Sequence, residues 1–198
     1  MPKGIPLTKD EQEKRRHEIF HRVVKIFSKK GFHETSMQEI ADMAGLGKST
    51  LYDYFKTKDE IMIYFFEDQL RDMTQKAQRI ALQNLSADKR LRQIMEKYLE
   101  SLQANKNLFL KLMQESQRLK PKSQKQVQAK RYAYQDLIRA LIEEGIREGV
   151  FRKVNSLLSA SLLISSISSA VYGSRSTGTP QEMLRETLDI FFKGIEAC

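Results

Sequence analysis

The stretch GLGKSTLYDYF, residues 45–55, decides the fold. It follows SMQEIADMA, residues 36–44, where a serine stands three residues before a glutamate, a common beginning for a helix. Gly45 stands where a tight turn between two helices requires a positive φ, and a second short helix follows at once. The spacing therefore predicts two short helices joined by a glycine turn, which is a helix-turn-helix.

The second of these helices is expected to have two different sides. Leu51 and Phe55 are four residues apart, so they lie on one side and would face the core. The opposite side carries Ser49, Thr50, Tyr52 and Asp53. Short hydroxyl side chains near a helix N-terminus allow close approach to a phosphate or a base edge, and a tyrosine offers both a hydroxyl and a ring. This side is suited to the DNA major groove.

Hydrophobic periodicity is helical along nearly the whole chain, and the alternation typical of strands is almost absent. A first helix at about 10–30 has an apolar stripe for the core: Ile19, Phe20, Val23, Val24 and Phe27. In the next helix, Ile40 and Met43 are expected to point inward. Capping-box patterns precede four helices, at Thr8, Ser36, Thr57 and Thr179.

The later helices are longer. One begins after Thr57, and others are expected at about 88–104, 105–116, 123–147, 156–173 and 180–196. The prediction is an all-α chain of about nine helices. Three short helices with the helix-turn-helix occupy residues 1–57, and a second helical domain occupies residues 58–198.

The chain of 198 residues has a net charge of +9, which only weakly favours nucleic acid or an anionic membrane. Residues 116–131 hold six basic and no acidic residues, and this pattern alone leaves their role open. We expect no secretory leader, because the N-terminal residues lack the basic, apolar and small-residue pattern of one. We expect no membrane span, because the most apolar stretch, 157–172, contains six serines among sixteen residues. The single cysteine, Cys198, excludes a disulfide within the chain, which fits a reducing cytoplasm.

Residues 19–61 resemble the N-terminal domain of the TetR (tetracycline-repressor-like) family of bacterial regulators. The family pattern aligns without a gap, and its motif positions are matched by these residues: Phe27, Gly31, Phe32, Thr35, Ser36, Ile40, Ala41, Ala44, Gly45, Lys48, Thr50, Leu51, Tyr52, Tyr54, Phe55 and Lys58. The rest of the chain resembles the family in helix count, length and apolar terminal helices.

The resemblance implies a DNA-binding set: Ser36, Gly47, Lys48, Ser49, Thr50, Tyr52, Asp53, Tyr54 and Lys58. Ser49, Thr50 and Tyr52 would contact bases or the adjoining sugar-phosphate. Ser36, Tyr54 and Lys58 would hold phosphates, Lys48 would do either, and Tyr54 could equally be a core residue. Four positions depart from the family pattern, and at two of them, His21 and Arg22, small residues are usual, so the first helix could make a contact there. Gly47 deprives the recognition helix of a hydroxyl cap, and Asp53 could accept a hydrogen bond from a cytosine amine.

In the family, the later helices form a ligand-binding and dimerisation body. The candidate ligand-binding residues are Tyr98, Leu102, Phe109, Met113, Tyr134, Leu137 and Leu141, each of which could instead be an ordinary core residue. The candidate dimer-interface residues on the last two helices are Leu162, Ser166, Leu184, Leu188, Phe191 and Ile195. The apolar and small residues of these helices would allow a four-helix interface between two chains.

The sequence predicts a ligand-responsive, sequence-specific DNA-binding regulator in the bacterial cytoplasm, a repressor that a small molecule of unknown identity releases from its operator. Its partners would be operator DNA, the effector and a second copy of itself, without a membrane. No catalytic constellation is visible, so we expect neither an enzyme nor a cofactor or metal. The alternative is a helical adaptor of the same fold that binds a protein instead of DNA, an interpretation that Gly47 and Asp53 favour.

Overall fold

A computed structural model describes residues 8–104, 106–173 and 178–195, except for the side chains of residues 25, 28, 109 and 170. This part of the chain forms nine helices and no strand, which confirms the all-α prediction. Their bounds are α1 Lys9–Lys30, α2 Met37–Ala44, α3 Lys48–Tyr54, α4 Lys58–Ala81, α5 Ala87–Ala104, α6 Lys106–Ser116, α7 Pro121–Arg147, α8 Ser156–Tyr172 and α9 Pro180–Ile195.

The capping boxes form largely where the sequence places them. Thr8 and Ser36 each accept from the backbone N–H three residues later, and the glutamate at that position accepts from the cap in return. Thr179 and Glu182 form the same pair at α9. At α4, Glu60 accepts from the N–H of Lys56 instead of Thr57. Side-chain caps thus fix the beginnings of α1, α2 and α9 as the sequence predicts.

The chain divides into two compact units. Unit 1 comprises residues 1–65 and 110–124, and unit 2 comprises residues 66–109 and 125–198. The helices α4, α6 and α7 therefore contribute residues to both units. Within the described ranges, none of the helices combines the length and apolar character needed to cross a bilayer.

The core of unit 1 is built on the stripe expected for α1. Ile19, Phe20, Val23 and Phe27 are buried, while Val24 is half-buried. In α2 the expectation for Met43 is wrong, because its side chain is 49% exposed. The buried residues of α2 are Ile40, Ala41 and Ala44. At 100° per residue, Met43 lies more than 90° from the centre of that buried face.

The core of unit 2 brings α5, α7, α8 and α9 together. α7 passes very close to the chain segment that follows it, at Gly145. A Cβ placed on Gly145 would lie 2.4 Å from Phe151 Cδ2 and 3.0 Å from Ala87 Cβ, so only a glycine fits. Nearby, buried Arg90 donates to the Ala81 carbonyl at 2.8 Å and to Glu144 at 2.6 Å. These contacts join the end of α4 to α5 and α7.

Candidate nucleic-acid interface

The turn between α2 and α3 has the predicted geometry. Gly45 has φ 69° and ψ 35°, in the left-handed region, and its N–H donates to Ala41 and Asp42 carbonyls. The guanidinium of Arg22, on α1, donates to the Ala44 carbonyl at 3.1 Å. A cation at a helix C-terminus is favourable because of the partial negative charge there. This bond fixes the end of α2 against α1.

The α3 helix presents one apolar and one polar side, as expected. Leu51 and Phe55 are completely buried. The polar side is exposed at Lys48, Ser49, Thr50 and Asp53, with Tyr52 and Tyr54 half-buried. The buried pair therefore orients α3 so that its hydroxyl and ammonium groups face outward together.

The beginning of α3 has no side-chain cap. Gly47 is the N-cap residue, with φ −66° and ψ 148°, and no side chain accepts from the first turn. Since the first N–H groups of a helix have no partner within it, those of α3 are donors on an exposed surface. A glycine here also lets another molecule approach the backbone closely.

Ser36 lies at the beginning of α2, where its side chain is exposed. Its oxygen accepts from the Glu39 N–H at 3.2 Å, so its own hydroxyl hydrogen can be donated elsewhere. Glu39 also pairs with Lys30 from the end of α1. The bond from Lys30, together with those from Ser36, lowers the pKa of Glu39 to about 2. These contacts fix the end of α1 to the beginning of α2, close to Ser36.

Lys58, which is expected to contact a phosphate, makes two hydrogen bonds within the protein. Its ammonium donates to the carbonyl oxygens of His33, at 2.7 Å, and Thr35, at 2.9 Å. It also lies 5.1 Å from the centre of the Phe32 ring. Burial lowers the pKa of Lys58, and the carboxylate of Glu115 opposes this effect. Two of its three N–H bonds are thus used inside the protein, on the loop between α1 and α2.

Arg16 is a supporting residue that sequence reasoning missed. Its guanidinium lies 4.8 Å from the ring centres of both Phe55 and Tyr64. The contact braces the end of α3 from α1 through cation–π attraction. Nothing in the local sequence could have revealed it, because Arg16 and Phe55 are separated by two helices and two loops.

Two family models match the chain. Residues 19–64 match the model of bacterial regulatory proteins of the tetR family, and residues 84–195 match the tetracyclin repressor-like C-terminal domain. The chain belongs to the TetR family. It is accordingly a ligand-responsive, DNA-binding transcriptional regulator, which confirms the function predicted from the sequence; the adaptor alternative is not favoured.

The chain is also similar to individual proteins of known name or structure. The fatty acid metabolism regulator protein of Bacillus subtilis (strain 168) is 21% identical over 69% of this chain and 70% of its own length. The crystal structure of PfmR from Thermus thermophilus has a TM-score of 0.73 and 25% identity, and the match covers 88% of this chain and 97% of PfmR. AibR, solved with isovaleryl coenzyme A and operator DNA, has a TM-score of 0.70 and 17% identity over 90% of this chain and 98% of AibR. At that identity AibR shows the fold alone.

The structure brings most of the candidate ligand-binding residues of this TetR-family regulator into one core. Tyr98, Leu102, Tyr134 and Leu141 are buried together in unit 2, with Leu137 packed against them. The rings of Tyr98 and Tyr134 stack at 5.6 Å, and the Tyr98 hydroxyl lies 2.8 Å from Ser168 Oγ. Burial raises the pKa of both tyrosines, so both are neutral hydrogen-bonding groups. Met113 lies in unit 1 instead, and the side chain of Phe109 is outside the described residues.

The candidate dimer residues separate into two groups. Leu162 and Ser166 on α8 are exposed, as an interface requires. On α9, Leu184, Leu188 and Ile195 are buried in the core of their own unit, and Phe191 is half-buried. Those three buried side chains therefore have no surface left for a partner, whereas Ile190 of the same helix is 65% exposed.

Proposed function

We propose that this regulator binds its operator by inserting α3 into the major groove. The observation that carries the proposal is the exposed polar side of α3, held outward by completely buried Leu51 and Phe55. In this arrangement Ser49, Thr50 and Tyr52 face base edges, Lys48 contacts base or backbone, and Gly47 permits close approach. Asp53 accepts from a cytosine amine, while Ser36 and Tyr54 bind phosphates.

We infer a different role for Lys58 from the one its family position implies. Its two bonds to backbone carbonyls hold the loop that leads into Ser36. Lys58 therefore positions a phosphate contact rather than making one. In this proposal residues 1–57 supply the surface that reads the operator sequence, and residues 58–198 contain the effector site and the dimer interface.

The regulator acts as a homodimer on paired half-sites in the bacterial cytoplasm, according to this proposal. Large apolar side chains are exposed on α8 at Leu157, Leu158 and Leu162, and on α9 at Ile190. A second copy would cover them and place two recognition helices on one face of the duplex, as two half-sites require. The interface would then use the outward sides of these helices, with Leu162 and Ser166 as members.

For the effector we propose an acyl thioester of coenzyme A or a related fatty-acid derivative. One relative is named for fatty acid metabolism, and another of the same fold was solved with isovaleryl coenzyme A. In unit 2, neutral Tyr98, Tyr134 and half-buried Ser168 offer hydrogen bonds within an otherwise apolar core. An acyl chain would pack against the apolar side chains, and its carbonyl would accept from a hydroxyl.

Release from the operator would occur by a population shift. Repression would decrease as the effector accumulates. The effector must favour the conformation that binds DNA poorly by a coupling free energy of roughly 1–3 kcal/mol. α4 continues from Lys58, in unit 1, to Ala81, in unit 2, so a change at the effector site can bias the helix that supports Ser36. The effect on affinity would be about 5–150-fold.

Fluorescence anisotropy tests both parts of this proposal. The purified protein is titrated onto duplexes tiled across the region upstream of its own gene. The titration is repeated with random-sequence competitor and over a series of salt concentrations. We expect competitor-resistant binding to one pseudo-palindromic tile, with two protomers per site. Acyl-coenzyme A esters of graded chain length are then added, with free coenzyme A as the control. Binding that competitor abolishes on every tile would refute operator recognition, and equal effects of esters and free coenzyme A would refute the effector class.

A further inference from the structure

A segment from the C-terminal part of the sequence belongs to the same compact unit as the helix-turn-helix. It comprises residues 110–124, which include the end of α6 and the beginning of α7. The carboxylate of Glu115 accepts from the His33 N–H at 2.9 Å. Asp59, in the first turn of α4, accepts from the Lys120 N–H and the Ser123 hydroxyl, each at 3.3 Å. The turn between α6 and α7 is therefore fixed to the N-terminal part of unit 1, at the loop before α2 and the beginning of α4.

The outer side of this turn is basic. Arg118, Lys120 and Lys122 are all exposed, and we call these three residues the basic turn. Glu115 is the single acidic residue of segment 110–124, and its carboxylate faces the His33 N–H. Across the described residues, no ion pair includes a member of the basic turn. Three positive charges are thus left to the solvent in one short stretch.

The contacts place the basic turn beside the N-terminal end of α4 and connect it, through Lys58, to the loop that precedes α2. Lys120 is bonded to Asp59, which follows Lys58 at the beginning of α4. Lys58 is in turn bonded to the carbonyl of Thr35, next to Ser36 at the beginning of α2. Helix N-terminal ends carry partial positive charge and are favourable positions for phosphate. The first turns of both helices also carry acidic side chains, Glu39 in α2 and Asp59 and Glu60 in α4, so the exposed positive charge comes from the basic turn rather than from these helix ends.

We propose that Arg118, Lys120 and Lys122 bind phosphates of the duplex that flanks each operator half-site. This rests on the proposed function, and it assigns a role to half of the basic residues in stretch 116–131. Lysine and arginine side chains that contact phosphate add affinity without reading sequence. An anionic membrane suits the turn less well, because its one large apolar residue, Leu119, is buried and cannot enter a bilayer.

The test compares a triple alanine variant of the basic turn with a charge-matched control. Alanine at position 120 keeps the backbone N–H that Asp59 binds, so the turn can stay in place. The control replaces Lys89, Lys153 and Arg185 by alanine; these are exposed residues of unit 2. Anisotropy is measured on the operator found as above, once as the minimal site and once with about ten further base pairs on each side, over a salt series. Thermal melting confirms that both variants are folded.

We expect the wild type to bind the longer duplex more tightly and with a steeper dependence on salt. The triple variant should bind the longer duplex no more tightly than the minimal site. Each phosphate contact removed should make the negative slope of log K against log salt shallower by about 0.9. The control should behave as the wild type. Equal slopes for the triple variant, the control and the wild type on the longer duplex would overturn the proposal. A wild type without operator binding would instead refute the proposed function itself, so the two failures can be told apart.

Discussion

The ammonium of Lys58 lies 2.9 Å from the carbonyl oxygen of Thr35, the residue immediately before the N-cap of α2. The first residue of α4 thereby holds the loop from which α2 starts. The same ammonium reaches the His33 carbonyl, so one side chain satisfies two acceptors of this loop. The position of Ser36 depends on this arrangement.

Replacing Lys58 by alanine should lower the free energy of unfolding and leave the number of phosphate contacts unchanged. Two half-buried carbonyls lose a charged donor, which typically costs about 1–3 kcal/mol. Urea denaturation should show a lower midpoint, while the slope of operator binding against log salt should stay within about 0.3 of the wild type. A slope reduced by about one with an unchanged midpoint would return Lys58 to the phosphate contacts.

Thr50→Ala should reduce sequence preference rather than general affinity. Thr50 lies on the exposed side of α3, so its loss would remove the proposed contact to a base edge without disturbing the core. We expect the ratio of operator to random-duplex affinity to fall about fivefold, which corresponds to about 1 kcal/mol. Gln38→Ala, on the exposed surface of α2, is the control. Equal losses on both duplexes would show that Thr50 contacts only the backbone.

Leu162→Arg should separate the protomers. Leu162 is 53% exposed on α8, beside Leu158, and a guanidinium there would be buried against an apolar partner surface. Sedimentation velocity should show a monomer, in contrast to the dimer proposed for the wild type, and operator affinity should fall at least tenfold. Leu82→Arg is the matched control, because Leu82 is 88% exposed at the end of α4. A dimeric Leu162→Arg protein would place the interface elsewhere.

Gly145→Ala should destabilise unit 2. The added methyl would lie within 2.5 Å of two atoms of the buried Phe151 ring, and overpacking of this kind costs about 1–3 kcal/mol. Gly194→Ala provides the contrast, because among the described residues only its chain neighbours and its own helix backbone lie within 4 Å of its Cβ position. That substitution should raise the unfolding free energy by up to about 1 kcal/mol. Thermal melts of both variants decide the matter, and equal midpoints would contradict the close approach.

The Glu39 carboxylate should make a pH-dependent contribution to stability. Its pKa falls from 4.5 to about 2 in the folded protein, chiefly because Lys30 donates to it. A group whose pKa is lower in the folded state stabilises above its unfolded pKa and loses that contribution as pH falls through the folded pKa. The wild type should therefore melt above Glu39→Gln at pH 6, and the difference should shrink between pH 4.5 and 2. A difference that is constant over this range would exclude the linkage.

Local chemistry explains why much of this architecture could be predicted from the sequence. The Ser36–Glu39 capping box, the left-handed Gly45 and the pair Leu51 and Phe55 all act over at most four residues. Residues this close in sequence are also close in space, so their contacts can be inferred from the sequence alone. Together these features were sufficient to predict the helix-turn-helix and the outward side of α3.

Long-range packing accounts for what could not be predicted. Lys58 acts on carbonyls 23 and 25 residues away, a relationship that no periodicity records. On α9, an apolar stripe of the right spacing serves either an internal core or a partner. The sequence does not distinguish these uses, and the structure places Leu184 and Leu188 in the internal core.

The presence of segment 110–124 in the same compact unit as the helix-turn-helix has a consequence for building hybrid regulators. An exchange of N-terminal domains between relatives at a boundary in α4 would transplant Asp59 and His33 but leave Lys120, Ser123 and Glu115 behind. The hydrogen bonds of the transplanted residues would then depend on a turn from a foreign protein. A compact unit of this regulator is therefore discontinuous in sequence, and a graft that keeps the unit whole has to carry two separate pieces of chain.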